Sequence, residues 1–244
     1  MSSYTFVTTF SNKGYQVYGQ SFLDSFMEHG DPMTCMVYHE SQPNVDVHPR
    51  LEWRNLDWDR DREKFIQDWG KDPEKVGTAK DPNSQAIRFC HKVFALTDAV
   101  KHCKTEWLIW CDADVTFHAP IEPELQHVCM DGKLLAFLGR TSMPYTECGF
   151  VAYKVSANPV KALLADMRHY YTSGDIFRRP KADWHDSRCF DICRQASTIP
   201  THKENNLSAG LAGAHVWPRT ILDRFSRHQK GPMRKRVQYG EIAP

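Results

Sequence analysis

The segment Trp107-Leu108-Ile109-Trp110-Cys111-Asp112-Ala113-Asp114-Val115 runs an apolar stretch directly into two aspartates separated by one residue. A buried carboxylate without a partner is costly, so a pair of them at the end of a buried strand must meet water, cations or a metal. In open α/β sheets the C-terminal ends of the strands form the ligand crevice. Asp112 and Asp114, on a turn there, can aim both carboxylates at one hard cation. Mg²⁺ or Mn²⁺ takes oxygen ligands and commonly joins protein carboxylates to phosphate oxygens. The D-x-D pattern alone is common. A second copy, Asp57-x-Asp59 within DWDRD, lies in a polar stretch and reads as charged surface. What separates the first copy is its place after a buried strand.

A second constellation is His228-Gln229-Lys230-Gly231-Pro232-Met233-Arg234-Lys235-Arg236. A neutral imidazole can add one nitrogen to an oxygen-rich metal site. Gly231 allows close backbone approach to a phosphate, and Lys230, Arg234 or Lys235 can neutralise its oxygens. Taken alone, the segment reads better as a basic, solvated tail after the final helix.

These residues need a scaffold. Tyr4–Phe10 reads as a strand, Gln16–His29 as a helix, Met33–Tyr38 as a strand and Leu51–Leu56 as another. This β-α-β-β opening predicts a parallel sheet with helical crossovers. The polar stretch 57–83 holds a short helix at Lys64–Trp69. Ser84–Lys101 has helical spacing, and Trp107–Trp110 is a strand buried on both faces. Leu134–Leu138 and Gly149–Val155 are further strands. Pro159–Tyr171, Asp186–Arg194 and Ile221–His228 are further helices. The 244 residues, 41% apolar and 25% charged, exclude a disordered or collagen-like chain. No apolar run approaches the roughly 20 residues that span a bilayer, and the N-terminus shows no basic stretch followed by an apolar one. The eight cysteines contain no C-x-x-C, as expected of reduced thiols in a cytoplasmic protein. The net charge of +1 excludes a broadly basic nucleic-acid binder. It hides an asymmetry: seven cations against Asp223 alone give +6 over Arg219–Arg236, leaving −5 elsewhere.

Together the two constellations resemble those of a sugar-nucleotide-dependent glycosyltransferase of the GT-A fold. The H-x-x-G-x-x-K arrangement resembles that of its retaining, glycogenin-like and lipopolysaccharide-galactosyltransferase-like branch. His228 and Gly231 match, and Arg234 stands where that pattern has Lys. The resemblance implies an α/β fold: a single Rossmann-like domain over residues 1–244 with a mostly parallel central sheet flanked by helices. Residues 1–115 would form a nucleotide-binding half ending in D-x-D. Residues 116–244 would form an acceptor half and a metal-binding C-terminal segment.

The resemblance also implies roles. Asp112, Asp114 and His228 would hold Mn²⁺ or Mg²⁺ on the diphosphate of a nucleoside diphosphate sugar, UDP by preference. Gly231 and Arg234 would contact that diphosphate. Thr8, Thr9 and Phe10 would face the nucleotide, and Arg88 and Lys92 would contact it or its diphosphate. Glu147 would face the acceptor and Asp186 the donor sugar. Arg88 also fits an ordinary helix-surface charge, and Asp183 or Asp186 a helix cap. Transfer to an acceptor hydroxyl with retention needs no strong enzymic base, because the departing phosphate can take the proton. With inversion, Asp186 or Glu147 would be the base. The acceptor stays open among a saccharide, a lipid-linked sugar and a hydroxylated DNA base. A nucleotidyltransferase is disfavoured by the poor phosphate loop Ser11-Asn12-Lys13-Gly14. A non-catalytic module that binds nucleotide or nucleic acid remains the contrasting class.

Overall fold

The computed structural model of the chain describes residues 3–40, 48–77 and 85–229. Gly231, Arg234, Lys230 and Lys235 lie outside the described residues, as does Ser84, the expected start of a helix.

The first strand, β1 (Tyr4–Phe10), is followed by a π-helical turn, Tyr15–Gly19, and by α1 (Gln20–His29). Then come β2 (Thr34–His39), β3 (Leu51–Asn55), α2 (Arg60–Trp69), α3 (Ala86–His102) and β4 (Trp107–Cys111). The second half adds β5 (Val115–Phe117), α4 (Glu122–Val128), β6 (Leu135–Phe137), β7 (Phe150–Lys154), α5 (Asn158–Thr172), α6 (Asp186–Ala196), β8 (Glu204–Asn206) and β9 (Ser226–His228).

Seven strands form one sheet in the order β3-β2-β1-β4-β7-β6-β8. β1 pairs parallel with β2 and β4, β2 with β3, and β6 with β8; β7 alone runs against both its neighbours. The protein is therefore α/β with a mostly parallel central sheet. Alternate residues of each strand feed opposite faces, as the pleat requires. Val7, Leu108, Trp110, Val151 and Tyr153 pack under α3, α5 and α6. Phe6, Ile109, Cys111, Phe150 and Ala152 pack against α1 and α4 on the other face. Each fully buried Leu, Val or Phe side chain contributes about 1.5–3 kcal/mol, so these two layers hold the sheet rigid. Among the described residues, no helix is long and apolar enough to cross a membrane. All eight cysteines are free thiols, seven of them buried.

Two local expectations are corrected. Ile221–His228 is not a helix. A 3-10 turn at Ile221–Arg224 is followed by β9, which pairs antiparallel with β5. Ser226 and His228 are buried and Arg227 is exposed, an alternation with a period of two rather than 3.6. The DWDRD stretch is not merely charged surface either. Asp59 caps α2, accepting from the amides of Asp61 and Arg62, and both its oxygens accept from one nitrogen, Nη2, of Arg168 of α5, at 2.7 and 2.9 Å. This charge-assisted contact ties α2 to the helical layer.

Candidate active site

The order of strands reverses at β1: β2 and β3 lie to one side and β4 to the other. The crevice outside such a switch point is where open α/β sheets bind ligands. A cavity of about 430 Å³ lies there, at the C-terminal ends of β1 and β4. Its walls include Thr9, Phe10, Arg88, Asp112, Asp114 and Asp186.

Asp112 begins the turn that follows β4. Its amide donates to Gly149 O at 2.8 Å, and its carbonyl accepts from Val115 N at 3.1 Å. The Asp112 carboxylate receives the Trp110 indole N–H at 2.7 Å and the Lys92 ammonium at 2.9 Å. Asp114 lies on the same turn, immediately before β5. The β5–β9 pairing places His228 opposite Val115, and Gln229 N donates to Asp114 O at 2.8 Å. Residues 114 positions apart in the chain are thereby brought side by side. His228 Nε2 is 3.1 Å from Asp114 Oδ1 and 3.9 Å from Asp112 Oδ2. Burial by itself would push the His228 imidazole down, but Asp114, Glu147 and Asp112 outweigh it and hold it above the ordinary histidine range.

The donor set fits a divalent cation. Asp112, Asp114 and His228 each offer one ligand atom, all within 4.8 Å of one another. Two carboxylates and an imidazole make the oxygen-rich, single-nitrogen set suited to Mn²⁺ or Mg²⁺. The space beside the imidazole is also reserved. A Cβ on Gly149 would stand 2.5 Å from His228 Cε1 and 2.8 Å from Nδ1. Gly149→Ala is therefore expected to rotate or displace the ring. It should weaken Mn²⁺ binding at least tenfold by isothermal titration, and cost about 1–3 kcal/mol of stability as an overpacked core position.

Lys92 lines the cavity as well. Its ammonium bridges Asp112 Oδ1 and Asp186 Oδ2, each at 2.9 Å, and also donates to Cys148 O. An ammonium has three donors, and all three are engaged by the protein. Burial would lower the Lys92 group, but Asp112 and Asp186 hold it above the ordinary lysine range. The Nζ also sits 4.7 Å from the Trp110 ring centre. Lys92 thus joins the D-x-D turn to the start of α6.

Asp186 lines the cavity and is nearly buried, but it is not the cap of α6. His185 caps instead, with its Nδ1 accepting from Arg188 N at 3.3 Å, while Asp183 pairs with Arg188. Thr9 and Phe10 line the cavity, whereas Thr8 is fully buried and does not. Thr8 shares the sheet face of Phe6 and Phe10 but lies two residues short of the strand's end, so it is covered and does not reach the cavity. Thr9 Oγ1 donates to Tyr38 O at 2.9 Å. Arg88 is exposed on the cavity wall, and its Nη1 donates to Gln85 Oε1. His91, also on the wall, accepts at Nδ1 from Arg62 Nε at 3.0 Å. Burial, with Arg62 adding to it, pushes its imidazole down to about 4 and keeps the ring neutral.

Glu147 lies on the cavity wall, with its carboxylate held by protein partners. Its side chain is 1% exposed. Oε1 is 2.8 Å from His215 Nδ1, and Oε2 accepts from Val216 N at 2.9 Å. These two donors turn the carboxylate inward, behind His228. Nothing in the local spacing distinguishes His215, or marks Gly149 as more than a small residue of the turn Thr146–Phe150. Both matter only through contact with His228 or Glu147.

No family model matches the sequence, and neither does any curated protein. Among solved structures, the chain is similar to the crystal structure of mouse xyloside xylosyltransferase 1 in its apo form. The identity is 8% and the TM-score 0.49, over 79% of this chain and 81% of that one.

Proposed function

We propose that the protein is a metal-dependent glycosyltransferase of the GT-A type. It would move a sugar from a nucleoside diphosphate sugar, UDP in the first instance, to an acceptor hydroxyl with retention. The observation that carries this reading is the convergence of Asp112, Asp114 and His228 at the mouth of the switch-point cavity. Residues 1–115 would supply the nucleotide-binding half, and the rest the acceptor half and His228.

A divalent cation held by these three residues would draw off the charge that builds on the leaving diphosphate. Thr9, Phe10 and Arg88 line the wall beside the metal ligands and would bind the nucleotide. Asp186 would accept hydroxyl hydrogen bonds from the donor sugar, its carboxylate held in place by Lys92. Glu147 lies on the cavity wall with both oxygens engaged by His215 and the Val216 amide, and in a retaining transfer the departing phosphate would take the acceptor's proton. Gly231 and Arg234 would contact the diphosphate.

The test is a donor panel. UDP and Mn²⁺ together should raise the melting temperature where neither alone does, and one UDP-sugar should be hydrolysed only with Mn²⁺ present. If no sugar nucleotide stabilises the protein or is hydrolysed, the transferase reading is lost. Stabilisation by DNA with a steep salt dependence would then support the binding module instead.

A further inference from the structure

A ligating histidine presents one nitrogen to its cation, and the hydrogen bond at the other nitrogen decides which one. In His228, Nε2 faces Asp114 and Asp112, and Nδ1 faces Glu147 Oε1 at 3.4 Å. Nδ1 is buried without a well-aligned hydrogen bond. The same Glu147 oxygen is held by His215 Nδ1 at 2.8 Å, and its twin by the Val216 amide at 2.9 Å. Glu147 is thus fixed at both oxygens by one loop, with its open side toward His228.

We propose that His215 and Glu147 form a buried positioning chain that keeps the proton of His228 on Nδ1 and so reserves Nε2 for the cation. This rests on the reading of His228 as a metal ligand. Glu147, His215 and His228 also have the spacing of a cation cluster. A neutral imidazole has a single lone pair, however. With Nε2 aimed at the aspartates, Nδ1 offers a proton, which suits a carboxylate and not a second cation. The Trp217 ring, 5.0 Å from the His228 ring, completes the enclosure. His215 and Glu147 are positioning residues: neither is needed to touch substrate.

Glu147→Gln is the sharpest test. The Val216 amide still needs an acceptor, so the glutamine oxygen turns to it and the NH₂ turns toward the histidines. His228 Nδ1 must then accept, and the proton moves to Nε2, where it blocks the cation. Mn²⁺ affinity, read by titration followed by electron paramagnetic resonance, should fall about 10- to 100-fold, as for outer-shell partners generally. Ring-nitrogen NMR of ¹⁵N-histidine protein loaded with Mg²⁺ at alkaline pH should show the His228 proton on Nδ1 in the parent and on Nε2 in Glu147→Gln. His215→Ala should weaken Mn²⁺ about tenfold, and His215→Asn, which keeps an N–H donor, should recover most of that loss.

The proposal is overturned if Glu147→Gln keeps the parent's Mn²⁺ affinity and nitrogen shifts. It is also overturned if His215→Asn is as impaired as His215→Ala. Should Glu147→Gln fail to fold, the His215 pair decides alone. A parent protein that binds Mn²⁺ but hydrolyses no sugar nucleotide loses the transferase reading and keeps the chain. A parent protein that binds neither Mn²⁺ nor Mg²⁺ overturns the proposal together with the metal reading on which it rests.

Discussion

Asp114→Asn is expected to weaken Mn²⁺ binding by more than about a hundredfold, beyond the range typical of outer-shell partners, and to remove Mn²⁺-dependent hydrolysis of a sugar nucleotide. The substitution is nearly isosteric. The amide NH₂ can donate to His228 Nε2, which stands 3.1 Å from Asp114 Oδ1, so the β5–β9 pairing should survive. What disappears is one of two negative charges in a three-residue donor set. Hard cations bind through such charges, and a neutral carbonyl is a poorer ligand. Thermal unfolding should therefore change little, within about 1 kcal/mol, while cation affinity collapses. A variant that keeps Mn²⁺-dependent hydrolysis would remove the metal site from the mechanism.

Lys92→Met should give the largest loss of stability. Lys92 is the shared counter-charge of Asp112 and Asp186, and its side chain is 13% exposed. Methionine fills the stem but leaves two carboxylates facing each other without a cation. Removing one partner of a buried ion pair costs about 3–5 kcal/mol. Denaturant unfolding measures this directly. A double variant, Lys92→Met with Asp186→Asn, should recover part of the loss, because it removes one of the stranded charges. If Lys92→Met unfolds at the parent's denaturant midpoint, the bridge carries no stability. Donor binding should suffer in the same variant through the misplaced Asp112 and Asp186, not through a lost contact from Lys92 to phosphate.

The elements of the sheet were legible because local patterning encodes them. Tyr4–Phe10, Trp107–Cys111 and the helical stripe through Cys90, Val93 and Phe94 declare their type by period alone. The D-x-D turn was legible for a related reason: carboxylates do not follow five buried residues without a purpose. Short segments were not. Ile221, Leu222 and Phe225 have helical spacing, but the hydrogen bonds available from β5 draw Ser226–His228 into a strand. Asp59 read as surface because its partner, Arg168, is more than a hundred residues away.

The chain's own chemistry thus determined the candidates: two carboxylates at the end of a buried strand, and an imidazole before a glycine in a basic tail. Tertiary structure decided their relations. It set His228 opposite Val115, joined Lys92 to two aspartates, and tied Glu147 to His215. Periodicity is local and survives in one dimension. A hydrogen bond between residues 68 or 114 positions apart depends on which strands pair and in which register, and those pairings are set by the packing of the whole sheet.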